Sequence, residues 1–133
     1  MFPADTRFLI VDDTKTIRSL LKEILKNIGY KKIDEAEDGS QALDMMKREA
    51  QSDKPYGFII CDWNMPGLTG IELLEVRNSD LRFQKVPFLM VTIESEREYV
   101  LKAVAMGVSD FVVKPFSEAT VRSKMESIWN RLK

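Results

Sequence analysis

Apolar residues in this chain fall into two patterns, short continuous runs and runs with helical spacing. Residues 8–11, 58–61 and 86–91 form continuous apolar runs, which are typical of strands buried on both faces of a sheet. Residues 111–113 form a shorter run, and residues 33–36 are half polar, as expected at a sheet edge. The pattern predicts five strands, of which the first, third and fourth lie centrally and the second lies at an edge.

Each predicted strand is followed by a segment with the spacing of an amphipathic helix. The first such segment lies between Thr14, a candidate N-cap, and Gly29, which should end it. The second spans 39–48, the third is short, the fourth spans 95–106, and the fifth follows Ser117 as N-cap. The residues expected to recur on the inner faces of these helices are Ile17, Leu20, Leu21, Ile24, Leu25, Ile28, Ala42, Leu43, Met46, Ile71, Leu74, Val100, Ala103, Val104, Val121, Met125 and Ile128.

Five strands that alternate with five helices predict an α/β fold, in which a parallel sheet is covered on both faces and the crossovers are right-handed. The strand qualities fit the doubly wound order 2-1-3-4-5, whose switch point lies between the first and third strands. Asp12 and Asp13 follow the first strand, Asp62 ends the third, Thr92 the fourth and Lys114 the fifth. Because ligands bind at the carboxyl edge of such sheets, we expect these side chains to converge on one site.

Composition limits the class of protein. With 133 residues, 44% apolar and 31% charged, the chain is expected to form one domain, residues 1–133, with a proper core. No apolar run is long enough for a membrane span and no signal peptide is visible, so the cytoplasm is the expected location. The 20 basic and 21 acidic residues form no basic block, which argues against nucleic acid or a membrane surface as partner.

The chain contains no histidine, and its single Cys61 lies in an apolar strand. These two facts exclude a Ser-His-Asp or Cys-His nucleophile, a His-ligated zinc and a phosphohistidine on this chain. Chemistry must therefore use carboxylates, lysine, hydroxyls and metals that prefer oxygen. Three carboxylates in one pocket repel one another, and a hard cation such as Mg²⁺ relieves that repulsion through oxygen ligands.

Four segments of the chain resemble, in order, the signature segments of the response-regulator receiver domain, and the closest form is the stand-alone chemotaxis, CheY-like group. The resemblance covers essentially the whole chain and implies a (βα)5 flavodoxin-like fold. The four segments are Val11-Asp12-Asp13, Cys61-Asp62-Trp63-Asn64-Met65-Pro66-Gly67, Met90-Val91-Thr92 and Val112-Val113-Lys114-Pro115-Phe116.

This resemblance implies a magnesium-dependent phosphoryl switch. Asp13 and Asp62 would ligate Mg²⁺ directly, Asp12 through water, and Asn64 through its backbone carbonyl, with Mn²⁺ as a substitute. Asp62 would accept a phosphoryl group from a phosphohistidine of a sensor histidine kinase of the chemotaxis type. The Lys114 ammonium and the hydroxyl of Thr92 would meet the phosphoryl oxygens. Such a protein is a signalling switch that catalyses only its own phosphorylation and autodephosphorylation, and is not otherwise an enzyme.

The resemblance also implies an output surface. Thr92 and Phe111 would act as switch residues, and Asn64 and Glu94 would tune how readily water removes the phosphoryl group. Phe111 stands where the enteric chemotaxis protein has Tyr, and without a hydroxyl to satisfy it should favour an inward rotamer. The target, a flagellar-motor switch protein or another chemotaxis component, would bind a face built from residues 95–106, 111–113 and 117–129. A phosphatase is a further expected partner, the protein should be monomeric, and the Lys114–Pro115 peptide should be cis.

Two other interpretations conflict with specific residues of the chain, and a third stays open. A haloacid-dehalogenase-type phosphatase needs a second Asp two residues after its nucleophile at the first strand, whereas Asp62 is followed by Trp63 and Asn64. A flavodoxin-like carrier needs a Ser/Thr/Gly-rich phosphate loop where this chain has Asp12-Asp13-Thr14-Lys15. A receiver domain cut from a larger response regulator or hybrid kinase stays open as the alternative.

Overall fold

The computed structural model describes residues 1–93 and 97–132 and places five parallel strands of that part in one sheet. The spatial order is β2-β1-β3-β4-β5, and every neighbouring pair is parallel, which confirms the predicted doubly wound order. β2, the half-polar strand, lies at an edge, and β1, β3 and β4 lie between the two edges. The strands are β1 (Arg7–Val11), β2 (Lys32–Ala36), β3 (Phe58–Asp62), β4 (Phe88–Ile93) and β5 (Asp110–Lys114).

A helix follows each strand, as the sequence predicted. The helices are α1 (Lys15–Ile28), α2 (Gly39–Glu49), α3 (Gly70–Ser79), α4 (Arg97–Ala105) and α5 (Glu118–Leu132). The predicted start of the fourth helix, near Ser95, lies outside the described residues. No helix in the described part of the chain has the length and apolar character needed to cross a bilayer.

Two apolar cores lie on opposite faces of the sheet because successive strand residues point to opposite sides. Phe8, Ile10, Phe58 and Ile60 pack with α1 and α5 through residues such as Leu25. The other face contains Leu9, Val11, Ile59, Cys61, Phe88 and Met90, packed with residues of α2, α3 and α4. Cys61 is fully buried in this second core, as predicted. The sheet is thus covered on both sides, and its ligand-binding edge is left to the loops at the carboxyl ends of the strands.

Thr14, Gly29 and Ser117 stand at the predicted helix ends, and two of them, Gly29 and Ser117, make the expected capping contacts. Gly29 ends α1 at a positive φ of 123°, and its N–H donates to the carbonyl of Leu25 at 3.1 Å. Ser117 caps α5, since its Oγ accepts from the N–H of Thr120 at 3.2 Å. The side chain of Thr14 makes no capping hydrogen bond. Its N–H instead donates to Asp12, so the loop before α1 is held by the acidic pocket.

Two residues expected on inner helix faces are exposed. Leu20 is 40% exposed on α1, and Val104 is 55% exposed on α4. In α4 only Ala103 is buried. The predicted inner residues of α3 and α5, among them Leu74 and Met125, are buried as expected.

Candidate functional site

The carboxylates of Asp12, Asp13 and Asp62 converge at the carboxyl edge of β1 and β3. One oxygen from each lies within 4.8 Å of the others. The parallel register that pairs Val11 with Cys61 brings the ends of the two strands side by side. Asp12 and Asp62 are only 1% and 6% exposed, whereas Asp13 is exposed. The pocket therefore has a dry floor formed by two acids and an open rim formed by the third.

Asp12 is fixed by hydrogen bonds at several of its atoms. Its Oδ1 accepts from the N–H of Thr14 at 2.8 Å, and its backbone N–H donates to the carbonyl of Ala36 at 3.2 Å. The guanidinium of Arg18, which is 7% exposed, donates to the Asp12 carbonyl at 2.6 Å and to Glu35 at 3.1 Å. The sequence does not predict this role of Arg18, because an arginine in an amphipathic helix is ordinarily a solvent-facing residue. It anchors the loop that places Asp12 and Asp13.

Lys114 brings a positive charge to this pocket from β5. Its Nζ lies 3.4 Å from Oδ2 of Asp12 and 3.4 Å from Oδ1 of Asp62. Lys114 ends β5 in register with Ile93 of β4, and the following Lys114–Pro115 peptide is cis, as expected. The ammonium therefore bridges the two buried carboxylates and offsets part of their repulsion.

Burial, and after it the nearby charge of Asp12, raise the pKa of Asp62 from 3.8 to about 6. The ammonium of Lys114 opposes this rise. A raised pKa means that the site disfavours the ionised form of Asp62, so an additional positive charge nearby would stabilise that form. Perturbation by desolvation and by a specific charge partner within one cleft is typical of functional carboxylates.

Thr92 is the buried hydroxyl of the site, 2% exposed and next to last in β4. The register that pairs Asp62 with Val91 places Thr92 one residue beyond the carboxylate on the adjacent strand. Asn64 is exposed in the loop two residues after Asp62. Glu94, the other expected tuning residue, lies outside the described residues. The structure thus brings together four predicted residues, Asp12, Asp13, Asp62 and Lys114, with Thr92 at the same edge.

The loop after Asp62 returns tightly to the beginning of α3. The N–H of Gly70 donates to the carbonyl of Trp63 at 3.1 Å. A Cβ on Gly70 would lie 2.2 Å from the carbonyl oxygen of Asp62, so only glycine allows this approach. Trp63 is 6% exposed, and its ring stacks on Tyr99 of α4, with centroids 4.8 Å apart and planes 7° apart. Trp63 and Met65 are both buried and pack the loop against the core.

Phe111 is half-buried and packs against the core under α4. The Nζ of Lys124 lies 5.0 Å from the centroid of its ring, within the range of a cation–π contact. The ring thus lies between the core on one side and the ammonium of Lys124 on the other. It borders an open, mostly apolar groove of about 390 Å³, whose lining residues are Ile93, Arg97, Val100, Leu101, Val104, Phe111 and Val113.

The donor set fits a hard divalent cation. All the side-chain donors are carboxylate oxygens, two of them dry, and the described cluster has the compactness that a single ion requires. Lys114, through its ion pairs with Asp12 and Asp62, supplies one positive charge against the three negative charges of the carboxylates. A divalent ion at this place would bring the local charge to zero, and a soft metal would find no thiolate or imidazole among these residues.

Comparisons with known proteins agree with this geometry. The model of the response regulator receiver domain family matches residues 8–126. Chemotaxis protein CheY-3 of Vibrio cholerae is 40% identical over 126 residues, which cover 95% of this chain and 93% of that protein. Chemotaxis protein CheY of Pseudomonas aeruginosa is 40% identical over 126 residues, covering 95% of this chain and 98% of that protein.

A solved structure shows the same likeness at the level of the fold. Chemotaxis protein CheY4 of Vibrio cholerae has a TM-score of 0.81 and 30% sequence identity to this chain, and the match covers 94% of this chain and 99% of that one. The sheet order and the acidic edge bridged by Lys114 agree with these matches. The chain belongs to the family of response regulator receiver domains.

Proposed function

We propose that Asp62 accepts a phosphoryl group from a phosphohistidine of a partner sensor kinase, in a reaction that depends on Mg²⁺. The observation that supports this most directly is the pair of contacts from Lys114 to Asp12 and Asp62 at one dry edge. A carboxylate held between a second buried acid and an ammonium can attack phosphorus once positive charge is available. The protein then acts as a receiver whose affinity for a partner changes with phosphorylation.

The chemical step is an in-line displacement at phosphorus. A carboxylate oxygen of Asp62 forms the new P–O bond as the P–N bond to the imidazole breaks, and the imidazole leaves with the electron pair and takes up a proton. The developing charge lies on the three phosphoryl oxygens. Lys114 would meet one of these oxygens, and the hydroxyl of Thr92 would donate to another.

A bound Mg²⁺ would neutralise the remaining phosphoryl charge and allow the anionic donor to approach three carboxylates. Asp13 and Asp62 are the proposed direct ligands, with Asp12 acting through water and Asn64 through its carbonyl oxygen. Arg18 and the N–H of Thr14 keep Asp12 in place and so define the floor of the pocket.

The relatives named above are chemotaxis proteins, and we extend that role to this chain as part of the proposal. In this proposal residues 1–133 act in the cytoplasm as one monomeric receiver domain. Its partners are a chemotaxis-type histidine kinase, a phosphatase, and a flagellar-motor switch protein or another chemotaxis component. The groove beside Phe111 is the proposed output surface, because it is apolar and open and lies between α4 and β5. A phosphoryl group at Asp62 can alter this surface only by favouring one of two conformations.

Intact-mass spectrometry with acetyl phosphate and Mg²⁺ tests the phosphorylation. The wild type should gain one phosphoryl group, which EDTA should prevent and Asp62→Asn should abolish. An exposed carboxylate on α2 offers a matched control, Asp44→Asn, which should be labelled as the wild type is. An absent adduct, or equal labelling of Asp62→Asn, would refute the proposal.

The output surface has its own test in amide chemical shifts. On addition of beryllofluoride and Mg²⁺, shift changes should extend from Asp62 to Thr92, Phe111 and α4. Phe111→Ala should weaken binding of the partner without reducing phosphorylation. Shift changes confined to the acidic pocket would show that the output surface is wrongly assigned.

A further inference from the structure

Helix α4 is attached to the rest of the protein in different ways at its two ends. At its carboxyl end, Nδ2 of Asn78 donates to the carbonyl of Met106 at 2.6 Å, and Arg77 donates to the carbonyl of Gly107 at 3.3 Å. Arg77 is 9% exposed and also donates to the carbonyl of Val86 at 3.0 Å. These polar contacts clamp the end of α4 to α3 and to the beginning of β4.

The other end of α4 rests on an aromatic contact. Tyr99, in the first turn, stacks on Trp63 in a nearly parallel geometry, with centroids 4.8 Å apart. Ala103 is the one buried residue of α4, and the ring of Tyr99 adds an aromatic contact nearer the beginning of the helix. Tyr99 is itself 41% exposed, and its ring shields an indole that is 6% exposed.

Trp63 is bonded directly to Asp62. Its backbone N–H donates to the carbonyl of Val91 at 2.9 Å, and its carbonyl accepts from Gly70 at 3.1 Å. The backbone of Trp63 is therefore fixed by hydrogen bonds at both its N–H and its carbonyl, directly beside the carboxylate of Asp62. A change at Asp62 that moves this backbone must change the overlap of the Trp63 and Tyr99 rings, or move the first turn of α4 with it.

We propose that the Trp63–Tyr99 stack couples the state of Asp62 to the position of the first turn of α4, with the clamp at Asn78 and Arg77 acting as the fixed end. This coupling rests on the proposed function. It is carried by a contact on the acidic-pocket side of α4, separate from the groove beside Phe111. Offset or parallel aromatic pairs contribute about 0.5 to 1.5 kcal/mol beyond their burial, which corresponds to a change in affinity of about 2- to 10-fold.

The existence of the stack in solution can be measured by fluorescence. Trp63 and Trp129 are the two tryptophans, so a Trp129→Phe background leaves Trp63 as the reporter. In that background, Tyr99→Leu should shift the emission of Trp63 to longer wavelength and increase its quenching by acrylamide. Tyr99→Phe, which keeps the ring and removes only the hydroxyl, should retain the spectrum of the parent. An unchanged spectrum in Tyr99→Leu would overturn the proposal.

The coupling itself can be measured as an affinity for beryllofluoride in the presence of Mg²⁺. Because coupling between two sites is reciprocal, Tyr99→Leu should change the half-saturating concentration by about 2- to 10-fold. It should also reduce the chemical-shift response of α4, and Tyr99→Phe should preserve both values. Equal half-saturation in wild type and Tyr99→Leu would overturn the coupling and leave the proposed function intact. If the wild type itself does not bind beryllofluoride, the proposed function fails, and the coupling fails with it.

Discussion

The ammonium of Lys114 lies 3.4 Å from a carboxylate oxygen of Asp62, although the two residues belong to strands separated by β4. The lysine stem extends from the end of β5 across the edge of β4 to reach the pocket. Only 21% of its side chain is exposed, so the charge is partly withdrawn from water. This position makes Lys114 available to a phosphoryl group on Asp62 and also lowers the pKa of that carboxyl.

Lys114→Met should slow phosphorylation of Asp62 by acetyl phosphate by about 10²- to 10³-fold, the usual effect of removing one preorganised donor. Loss of the ammonium should also raise the pKa of Asp62 and so reduce the nucleophilic fraction at neutral pH. Time courses of intact mass measure the rate. Lys31→Met removes an exposed lysine and should leave the rate unchanged, and equal rates in both variants would contradict the role of Lys114.

The raised pKa of Asp62 predicts a specific dependence of stability on pH in metal-free buffer. The folded protein holds this proton up to about pH 6, whereas the unfolded chain releases it near 3.8. The contribution of Asp62 to the free energy of unfolding is therefore greatest below pH 4, falls as the pH rises, and is lost above 6. At about 1.4 kcal/mol per pKa unit, Asp62→Asn should be more stable than wild type by about 3 kcal/mol at pH 7.

Urea titrations in EDTA from pH 4 to pH 8 measure this difference. The wild type and Asp62→Asn should converge near pH 4 and separate with rising pH. Asp44→Asn, at an exposed position on α2, should follow the wild type. Parallel curves for wild type and Asp62→Asn would show that the pKa of Asp62 is not raised.

Mg²⁺ should stabilise the folded protein because the cluster of Asp12, Asp13 and Asp62 exists only in the folded state. At about 100 times its dissociation constant, a ligand raises the free energy of unfolding by about 2.7 kcal/mol. Asp13 is exposed, so Asp13→Asn should change metal-free stability by less than about 1 kcal/mol while removing most of the Mg²⁺ effect. Thermal unfolding with and without Mg²⁺ separates the two quantities. A full Mg²⁺ effect in Asp13→Asn, matching that of Asp53→Asn in a loop, would exclude Asp13 as a ligand.

Gly70→Ala should damage the site through the backbone. The new Cβ would lie 2.2 Å from the carbonyl oxygen of Asp62 and 3.0 Å from Cα of Trp63, so the loop must move. We expect a loss of about 1 to 3 kcal/mol in the free energy of unfolding and slower phosphorylation. At Gly57 the added Cβ would meet a methyl group of Thr6 at 3.1 Å, which makes Gly57→Ala a milder control. Gly70→Ala with the stability and phosphorylation rate of the wild type would contradict the close approach.

The strand order and the convergence of the acidic residues could be predicted because both depend on local patterns. Apolar runs mark the buried strands, and the half-polar segment at Ile33 marks an edge, so the carboxyl ends of the central strands were identifiable. Asp12 and Asp62 stand at the carboxyl ends of the central strands β1 and β3, and Lys114 stands at the carboxyl end of β5. Because the carboxyl ends of parallel strands lie at one edge of the sheet, the parallel order is enough to predict that these side chains converge.

Other features depended on contacts between distant parts of the chain. Helical periodicity gave the correct phase for α5, but it could not show that Leu20 and Val104 lie beyond the edge of the buried stripe. The burial of Arg18 depends on the Asp12 carbonyl and on Glu35, 17 residues away. Nothing near Trp63 in the sequence indicates Tyr99 as the partner of its ring.

The single buried residue of α4 has a consequence for how this protein can change over generations. Of its nine residues, only Ala103 is committed to the core, and substitutions at most other positions alter the surface with little effect on folding. The carboxylates of the acidic pocket lie on other elements, so such substitutions leave its donor set in place. Substitutions in this one short helix, whether by evolution or by engineering, can therefore change the proposed output surface while the acidic pocket keeps its own residues.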